Sequence, residues 1–378
     1  MSRQQFPGVF AHFDTLEDPR VERTKVHSLL NVIFIGLCAV VSGANDFVGM
    51  EKFGKSKHAW LEKYLDLTNG IPVHDTFNRV FSALDPEHFL ACFVDWVQAL
   101  QETTAGKVIG IDGKTLRASL DRAKGKNPLH VVSAWATENR LLLGQVAVDE
   151  KSNEITAIPK LLDVLEISGA IVTIDAMGCQ KEIAAKIRAK GADYVLAVKG
   201  NQEHLEEDVA ERFAEVTEET TRRKPSTYTS EEQGHGREEF RWYEALPVPK
   251  TLRNREEWCD LQSICRVTRV YTDKGKEEVE VRYFISSLKA DAELLARGIR
   301  GHWGIENGLH WVLDMYFNED RSRAREGNAA VNLALLRRWV LSLMRRDDTV
   351  AGGIEKKRLQ AAWADDSRET ILGLSKAK

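Results

Sequence analysis

Cysteine is scarce in this sequence of 378 residues, and the five that occur form no CxxC pair. An odd number of scattered cysteines in a long chain favours reduced thiols over a disulfide framework, so we expect a cytoplasmic protein. Four of the five lie in apolar or mixed stretches and are expected in the core. The cysteines are Cys38, Cys92, Cys179, Cys259 and Cys265.

Long hydrophobic runs are also missing. The most apolar segment, LLNVIFIGLCAVVSGA at 29–44, is shorter than the roughly 20 residues needed to span a bilayer. It also begins too far inside the chain for a signal peptide. We interpret it as a buried helix and expect no membrane partner.

Charge of one sign is not in large excess, since the formal net charge is −4 with 29% charged residues. No global field therefore favours binding to nucleic acid or to an anionic membrane, and any DNA binding must depend on local basic patches. The chain has no Walker-type GxxxxGK[ST] loop, so we expect no nucleotide cofactor. It also has no Ser-His-Asp or Cys-His pattern that would supply a protein nucleophile.

The periodicity of the sequence changes along the chain. Residues 1–104 follow a helical pattern and predict an N-terminal α-helical domain. Residues 105–204 show the order strand, strand, strand, helix, strand, helix, strand. That order predicts an α/β fold with a mixed sheet, in which an antiparallel hairpin is followed by parallel strands with helical crossovers. The rest divides into a β-rich insertion at 205–289, helices at 290–346 and a polar tail at 347–378.

A long helix predicted from about 290 to 317 contains the segment HWGIENGLHWVLD. A step of four residues keeps side chains on one helix face. This face carries two imidazoles and two carboxylates, namely His302, Glu306, His310 and Asp314. Zinc binding is one interpretation, but the histidines are eight residues apart, with no cysteine close by. We favour contact of the histidines with phosphate, or orientation of Glu306.

Two tryptophans, Trp303 and Trp311, stand beside this stripe of polar residues. A tryptophan near a nucleic-acid site can stack on a displaced base. We favour core packing for both, with the two rings holding the helix against the sheet.

Three acidic residues occupy positions where an unpaired charge is costly. Asp112 lies in the apolar strand IGID, Asp175 ends the strand IVTID, and Glu306 lies on the tryptophan-flanked helix. An acid at the end of a buried strand must be paired, hydrogen-bonded or bound to a cation. The carboxyl ends of parallel strands are also where ligand crevices form. Three carboxylates from separate elements can hold Mg²⁺, which prefers oxygen ligands, for phosphodiester cleavage.

Each of these acids also has an ordinary structural explanation. Asp112 before Gly113 is a common turn pair, and Asp175 can cap the element that follows it. Glu306 can be an exposed helix residue. Their joint order of strand, strand and helix favours the metal site.

Several longer segments carry a family resemblance. They are VIGIDGKTLRAS, TIDAMGCQKEIA, DYVLAVKGNQ, YFISSL and HWGIENGLHWVLDMYFNEDRSRAR, with DPR at 18–20 and IPVHDTFNRVF at 71–81. In these motifs and their order, nearly the whole chain resembles the DDE transposases of bacterial insertion sequences, in the subgroup of the H-repeat-associated proteins. The resemblance implies a ribonuclease-H-like mixed-sheet catalytic core with a β-rich insertion. It places the catalytic and metal-binding triad on Asp112, Asp175 and Glu306.

The resemblance also implies a reaction and its partners. Such an enzyme cuts at the ends of its element and transfers the freed 3′-hydroxyl into target DNA, using Mg²⁺, for which Mn²⁺ is expected to substitute. The implied partners are double-stranded DNA, as terminal repeats and as target, and a second copy of the chain, since two ends are held together. The helical domain at 1–104 is expected to bind the terminal repeats, which would bring this cytoplasmic bacterial protein to the nucleoid.

One departure from the family pattern affects the expected DNA contacts. The wider group has a tyrosine, an arginine and a lysine around the glutamate, where this chain has Ile299, His302 and Leu313. We expect nearby basic residues and histidines to take over contact with phosphate. The residues assigned to DNA are Lys114, Arg117, Lys199, Arg237, Arg300, His302, His310, Arg321, Arg323 and Arg325. The later run Lys356, Lys357 and Arg358 is instead expected on a solvated face.

Three functions stay open at this point. The main hypothesis is a metal-dependent DNA transposase. The second is a metal-dependent nuclease that cuts without joining, and the third is a domesticated DNA-binding protein that has lost catalysis. The intact set of Asp112, Asp175 and Glu306 argues against the third.

Overall fold

The chain folds into a mixed α/β structure, as the sequence predicts. The computed structural model describes residues 8–100, 103–122, 124–148, 152–217, 224–234, 237–273 and 276–374. Within these ranges no helix combines the length and the apolar character that crossing a membrane requires. Four of the five cysteines are buried, as expected, and Cys259 is partly exposed.

The first part of the chain is helical. The apolar run at 29–44 forms a helix whose residues are nearly all buried, and Ser28 begins it by accepting a hydrogen bond from the Asn31 amide. Asp85 begins the fifth helix in the same way, with Pro86 in the first helical position, where proline lacks no needed donor. The helices are α1 (Leu29–Val41), α2 (Phe47–Ser56), α3 (His58–Leu61), α4 (His74–Ala83) and α5 (Pro86–Ala99).

One nine-stranded sheet forms the centre of the molecule. Its strands are β1 (Val108–Thr115), β2 (His130–Ala136), β3 (Leu141–Ala147), β4 (Ile171–Ile174), β5 (Asp193–Val198), β6 (Ser226–Gly234), β7 (Arg237–Pro247), β8 (Ser263–Asp273) and β9 (Lys276–Ser286). The order across the sheet is β3-β2-β1-β4-β5-β9-β8-β7-β6. Strands β1, β4 and β5 are parallel, and the other pairs are antiparallel. The predicted hairpin and parallel strands are confirmed.

Helices connect several successive strands of the sheet. Helix α6 (Glu154–Val164) joins β3 to β4, α7 (Lys181–Ala189) joins β4 to β5, and α8 (Glu203–Thr217) precedes β6. The β-rich segment β6–β9 continues the central sheet, because β9 pairs directly with β5. The inserted strands therefore stand beside the carboxyl ends of the parallel strands.

The helix that carries the polar stripe crosses the sheet and contacts it through glycine residues. It consists of α9 (Ala292–Ile305), a π-helical turn (Glu306–His310) and α10 (Trp311–Phe317). A Cβ atom added to Gly301 would lie 2.7 Å from Val108 Cγ1, and one added to Gly304 would lie 2.7 Å from Thr137 Oγ1. The hydroxyl of Thr137 donates to the Gly301 carbonyl at 2.8 Å. Close backbone approach at these glycines fixes the height of the helix above β1.

The last helices share a core with the first ones. They are α11 (Ala329–Arg346), α12 (Ile354–Trp363) and α13 (Asp365–Leu372). The fully buried ring of Trp339 on α11 contacts four N-terminal aromatic rings, those of Phe13, Phe89, Phe93 and Trp96. The N-terminal segment therefore packs against α11.

The expected solvated face for the C-terminal basic run is wrong for two of its three members. Lys357 and Arg358 are 7% and 6% exposed. The ammonium of Lys357 donates to the Met344 carbonyl at 2.8 Å, and the Arg358 guanidinium donates to Val40 and Ala44 carbonyls. Charged donors satisfy carbonyl groups at helix ends. Lys357 therefore joins α12 to the end of α11, and Arg358 joins α12 to the end of α1. Lys356 is exposed, as expected.

Candidate active site

A cavity of about 600 Å³ opens at the carboxyl ends of β1, β4 and β5. Asp112, Asp175 and Glu306 all line it, as do residues of the inserted strands β7, β8 and β9. The sequence places these three acids 63 and 131 residues apart (175 − 112 and 306 − 175). The parallel order of β1 and β4, with α9 crossing them, brings all three to one cavity.

Asp112 lies in an environment that disfavours its charged form. Its side chain is 29% exposed. Burial, together with the negative charges of Glu154, Asp175 and Glu306, raises the pKa of Asp112 to about 7 against an opposing hydrogen bond from the Gly113 amide. A carboxyl in that state is stabilised by any cation that neutralises the surrounding charge.

Asp175 follows β4 and caps the short turn Ala176–Gly178. Its Oδ1 atom accepts hydrogen bonds from the amides of Met177 at 3.1 Å and Gly178 at 3.4 Å. The structural explanation considered from the sequence is therefore correct for one oxygen. Both bonds use Oδ1, so the cap and a role for Oδ2 in the cavity are compatible.

Glu306 is exposed to solvent at the rim of the cavity. It begins the π-helical turn, and its carbonyl accepts from the amide of Trp311, five residues later. Within the described residues, no three His, Cys, Asp or Glu side chains stand close enough to form a complete metal site. The three acids share a cavity, but they are not gathered to ligand distance in this conformation.

Of the two histidines of the stripe, His310 is buried and His302 is half-buried at the edge of the cavity. Nδ1 of His302 lies 3.2 Å from the Thr173 hydroxyl, and burial lowers the pKa of His302. Nε2 of His310 lies 3.8 Å from Oδ2 of Asp112. Burial lowers the pKa of His310 to about 3, and the charges of Arg338 and Lys114 act in the same direction. Both rings are neutral near pH 7.

Lys114, which was assigned to DNA, is buried in an ion-pair cluster beneath α10. Its ammonium bonds to the Asp314 carboxylate and donates to the His310 carbonyl at 3.2 Å. Glu319, which is fully buried, lies 3.4 Å away and also pairs with Arg338. The fourth member of the polar stripe, Asp314, thus anchors α10 to β1 through Lys114. The contacts of Lys114 are intramolecular, and its role in DNA binding stays a prediction.

The other residues assigned to DNA are spread over two regions. Lys199, Arg300 and His302 line the cavity. Near β1, Arg117 pairs with Asp320, Arg325 donates to the Ala118 carbonyl, and Arg321 and Arg323 are exposed. The side chain of Arg237 lies outside the described residues.

Core packing is expected for both Trp303 and Trp311, and the structure places the two residues differently. Trp303 lines the cavity. Trp311 is 51% exposed, and its ring and the Tyr316 ring meet edge to face. Core packing is therefore wrong for Trp311, because glycines rather than tryptophans form the face of the helix that meets the sheet.

A cationic wall of the cavity was not identified from the sequence. In the register of the insertion, Arg241 of β7 stands opposite Arg269 of β8, and Arg269 stands opposite Glu280 of β9. These residues and Arg282 line the cavity. Charged residues at every second position of a strand lie on one face of the sheet, and the sequence shows this pattern. Only the pairing of the strands shows that this face lines the cavity with the carboxylates.

A fourth acid near Asp112 was also missed. Nε2 of His130 lies 2.6 Å from Oε1 of Glu154. A Cβ atom added to Gly113 would lie 2.6 Å from the Glu154 carboxyl carbon, so that pair occupies the space over Gly113. Glu154 begins α6, and nothing in its local sequence distinguishes it from an ordinary first-turn acid.

Comparison with known proteins agrees with this architecture. The family model described as "Transposase DDE domain" matches residues 103–343, and the model described as "DDE_Tnp_1-associated" matches residues 10–97. The chain is 42% identical over 365 residues to "Putative transposase YncI" of Escherichia coli O157:H7, covering 96% of this chain and 93% of that protein. It is 40% identical over 366 residues to "H repeat-associated putative transposase YhhI" of Escherichia coli strain K12, covering 96% of each.

A shorter relative in Escherichia coli strain K12 is named "Inactive transposase YbfQ". It is 41% identical over 71 residues, which are 19% of this chain and 84% of that protein. The two family models together match most of this chain, including every strand of the sheet and the helix bearing Glu306. The chain therefore belongs to the family of transposases with a DDE domain, as its sequence motifs predict.

Proposed function

We propose that this protein is a DNA transposase that cuts at the ends of its element and joins the freed strand to target DNA in one metal-dependent site. The observation that carries the proposal is the shared cavity of Asp112, Asp175 and Glu306. The strand order β3-β2-β1-β4-β5, with parallel β1, β4 and β5, supports a ribonuclease-H-like catalytic core. Membership of the transposase family supports the choice of DNA as substrate.

The residues around the cavity fit a divalent cation. Asp112, Asp175 and Glu306 supply only oxygen donors, which is the ligand type that Mg²⁺ and Mn²⁺ accept. The raised pKa of Asp112 records an excess of negative charge that a cation would relieve. The bound cation would activate the attacking hydroxyl and stabilise the leaving oxygen. Glu306 stands at the rim of the cavity and must move inward to complete the set.

The inserted strands provide the surface for the DNA backbone. Arg241 pairs with Glu232 and Glu239, and Arg300 pairs with Glu232 at 2.6 Å. Phosphate oxygens bind guanidinium groups as carboxylates do, so an incoming strand would exchange with these glutamates. Because Arg241 and Arg300 face the same cavity as the acids, they would hold the scissile strand beside the carboxylates and fix its approach.

Further parts of the proposal concern DNA ends and assembly. The helical domain at 1–104 would bind the terminal repeats, and the chain would act at least as a dimer because two ends are joined in one event. Arg117, Arg321 and Arg323, which are exposed on one side of β1, are candidates to contact DNA outside the cavity.

A paired-end strand-transfer assay with Mg²⁺ tests the proposal, with Asp175→Asn as the variant. Asparagine keeps an oxygen that can accept from Met177 and Gly178, so the turn is preserved while the charge is lost. We expect cleavage and joining by the wild-type protein and a loss of at least about a hundredfold in the variant. Asp163→Asn, an exposed acid paired with Lys186, is the matched control and should keep wild-type activity.

Other outcomes would change the assignment. Cleavage without joining by the wild-type protein would identify a nuclease. DNA binding without cleavage would identify a domesticated DNA-binding protein. Full activity of Asp175→Asn would refute the assignment of the triad.

A further inference from the structure

His310 is a buried polar side chain that the triad does not use. It is 8% exposed, and its Nε2 atom makes no hydrogen bond with any part of the chain that the structure describes. Buried ring nitrogens in native proteins nearly always have a partner, so an unpartnered one requires an explanation. The nearest acidic group is the Oδ2 atom of Asp112 at 3.8 Å.

The separation of these two atoms is informative. At 3.8 Å it exceeds the limit of about 3.2 Å for an N–H···O hydrogen bond. Two ligand atoms on one cation, each about 2.1 Å from it, are separated by about 3.0 Å at a right angle and about 4.2 Å when opposed. The observed distance lies inside that range, so it is compatible with one cation bound to both atoms.

The donor atoms of the pair agree with a shared cation. Nε2 of His310 has no hydrogen-bond partner among the described residues, and a neutral imidazole carries a lone pair on one of its two nitrogens. Asp112 supplies a carboxylate oxygen 3.8 Å away. A cation between them would therefore find one oxygen donor and one nitrogen donor.

The backbone directs the His310 ring to this place. The π-helical turn spans Glu306–His310, so the helix is widened between the two residues concerned. Such widened turns within helices occur frequently at functional sites. Beyond the turn, Asp314 bonds to Lys114 and fixes α10 on β1, which leaves His310 with little freedom to turn away.

We propose that Nε2 of His310 is a ligand of the divalent cation held by Asp112, so that the metal centre combines carboxylates with one imidazole. This inference rests on the proposed function, because it adds a donor to the same centre. Imidazole suits transition metals better than Mg²⁺. The centre should therefore bind Mn²⁺ more tightly than Mg²⁺, and loss of the imidazole should reduce that preference.

Pulsed electron paramagnetic resonance of Mn²⁺ bound to the full chain without DNA tests the inference directly. A nitrogen ligand produces a ¹⁴N modulation of the Mn²⁺ spin echo, and labelling histidine with ¹⁵N changes it. We expect the modulation in the wild-type protein, its loss in His310→Gln, and about tenfold weaker Mn²⁺ binding by calorimetry. His302→Gln is the matched control, since the His302 ring contacts Thr173, and it should keep the modulation.

Each contrary outcome has a distinct meaning. Mn²⁺ that binds the wild-type protein, and is lost in Asp112→Asn, but shows no nitrogen modulation would overturn the role of His310 while leaving the carboxylate centre intact. Mn²⁺ binding that does not depend on Asp112 would overturn both. Modulation that survives in His310→Gln and disappears in His302→Gln would also refute the inference. If His310→Gln fails to fold, the ¹⁵N-histidine experiment is run on the wild-type protein and on His302→Gln. A histidine modulation that survives in His302→Gln supports His310, and its absence from the wild-type protein or its loss in His302→Gln overturns the inference.

Discussion

At the scale of single residues, the environment of Asp112 works against the stability of the metal-free protein. Asp112 is partly buried beside three other carboxylates, and the hydrogen bond from the Gly113 amide only partly offsets the cost of its charge. Sites that bind a substrate or a cation commonly keep such unfavourable arrangements, because the ligand relieves them. The cost should therefore be visible when the metal is absent and should disappear when it is present.

We expect Asp112→Asn to stabilise the metal-free protein above neutral pH. The pKa of Asp112 is about 7 in the folded protein, against an ordinary value of 3.8. Between these values the folded chain binds more protons than the unfolded one, so its free energy of unfolding falls as pH rises. Asparagine does not titrate, so the variant does not lose stability in this way. At pH 8 its free energy of unfolding should exceed that of the wild-type protein by at most about 4 kcal/mol.

Thermal and urea unfolding at pH 5 and pH 8 measure this difference. The difference in free energy of unfolding between the variant and the wild-type protein should increase with pH. Mn²⁺ should reduce this difference at pH 8, because it stabilises only the wild-type protein. A gap that is the same at both pH values would contradict the described environment of Asp112.

The sequence predicts the three acids of the cavity because each stands out locally. Asp112 and Asp175 interrupt or end apolar strands, and Glu306 lies in a distinctive helix. Glu154 and Arg241 have no such local mark. Their place near the cavity depends on strand register and on the approach of α6 to Gly113, which are long-range properties.

At the scale of elements, the helix bearing Glu306 is positioned by glycines. Gly301 and Gly304 face Val108 and Thr137, and Gly298 faces Val195 and Ile171. The sequence suggests that the two tryptophans hold this helix against the sheet. In the structure the helix contacts the sheet through its glycines, which have no side chain. The regular four-residue step also predicts an unbroken helix, and the π-helical turn at Glu306–His310 has no recognised signal in the sequence.

We expect Gly304→Ala to displace the helix from the sheet. The added methyl group would meet the Thr137 side chain at 2.7 Å or less, and neither backbone can yield easily. Alanine favours helix by about 1 kcal/mol over glycine, but overpacking costs about 1–3 kcal/mol. The net effect should be a lower melting temperature together with a marked loss of strand transfer, because Glu306 moves with the helix.

Gly353→Ala is the control for this prediction, since its added Cβ atom meets nothing within 4 Å. Gly353 caps α12, where alanine is less favourable than glycine by up to about 1 kcal/mol, so the control should show only a small fall in melting temperature and wild-type strand transfer. Equal stability and activity of Gly304→Ala and Gly353→Ala would contradict the close packing of α9 on β1.

At the scale of the whole molecule, the helices of the two chain ends and the sheet form one connected core. Trp339 packs among aromatic rings of the N-terminal helices, and Arg358 bonds to Val40 and Ala44. The sequence predicts the mixed sheet well, because alternating strand and helix patterns specify crossover connections. It predicts the buried cations poorly, because a basic run looks the same whether its partners are water molecules or distant carbonyl groups.

The arrangement of the sheet explains how acidic and basic side chains from distant parts of the chain meet in one cavity. Asp112 and Asp175 lie on or directly after parallel strands, and Arg241 lies on the antiparallel extension of the sheet. Glu306 lies on the helix that crosses the parallel strands. Glu306 is exposed at the rim of the cavity, so the proposed centre would require its side chain or the π-helical turn to move inward.

The most direct measurement is the anomalous diffraction of Mn²⁺ in crystals of the full chain bound to DNA of its element ends. We predict manganese between the carboxylates of Asp112 and Asp175, with Glu306 moved inward to bind it. Manganese at another place, or Glu306 left in solvent while cleaved DNA occupies the cavity, would contradict the proposed centre.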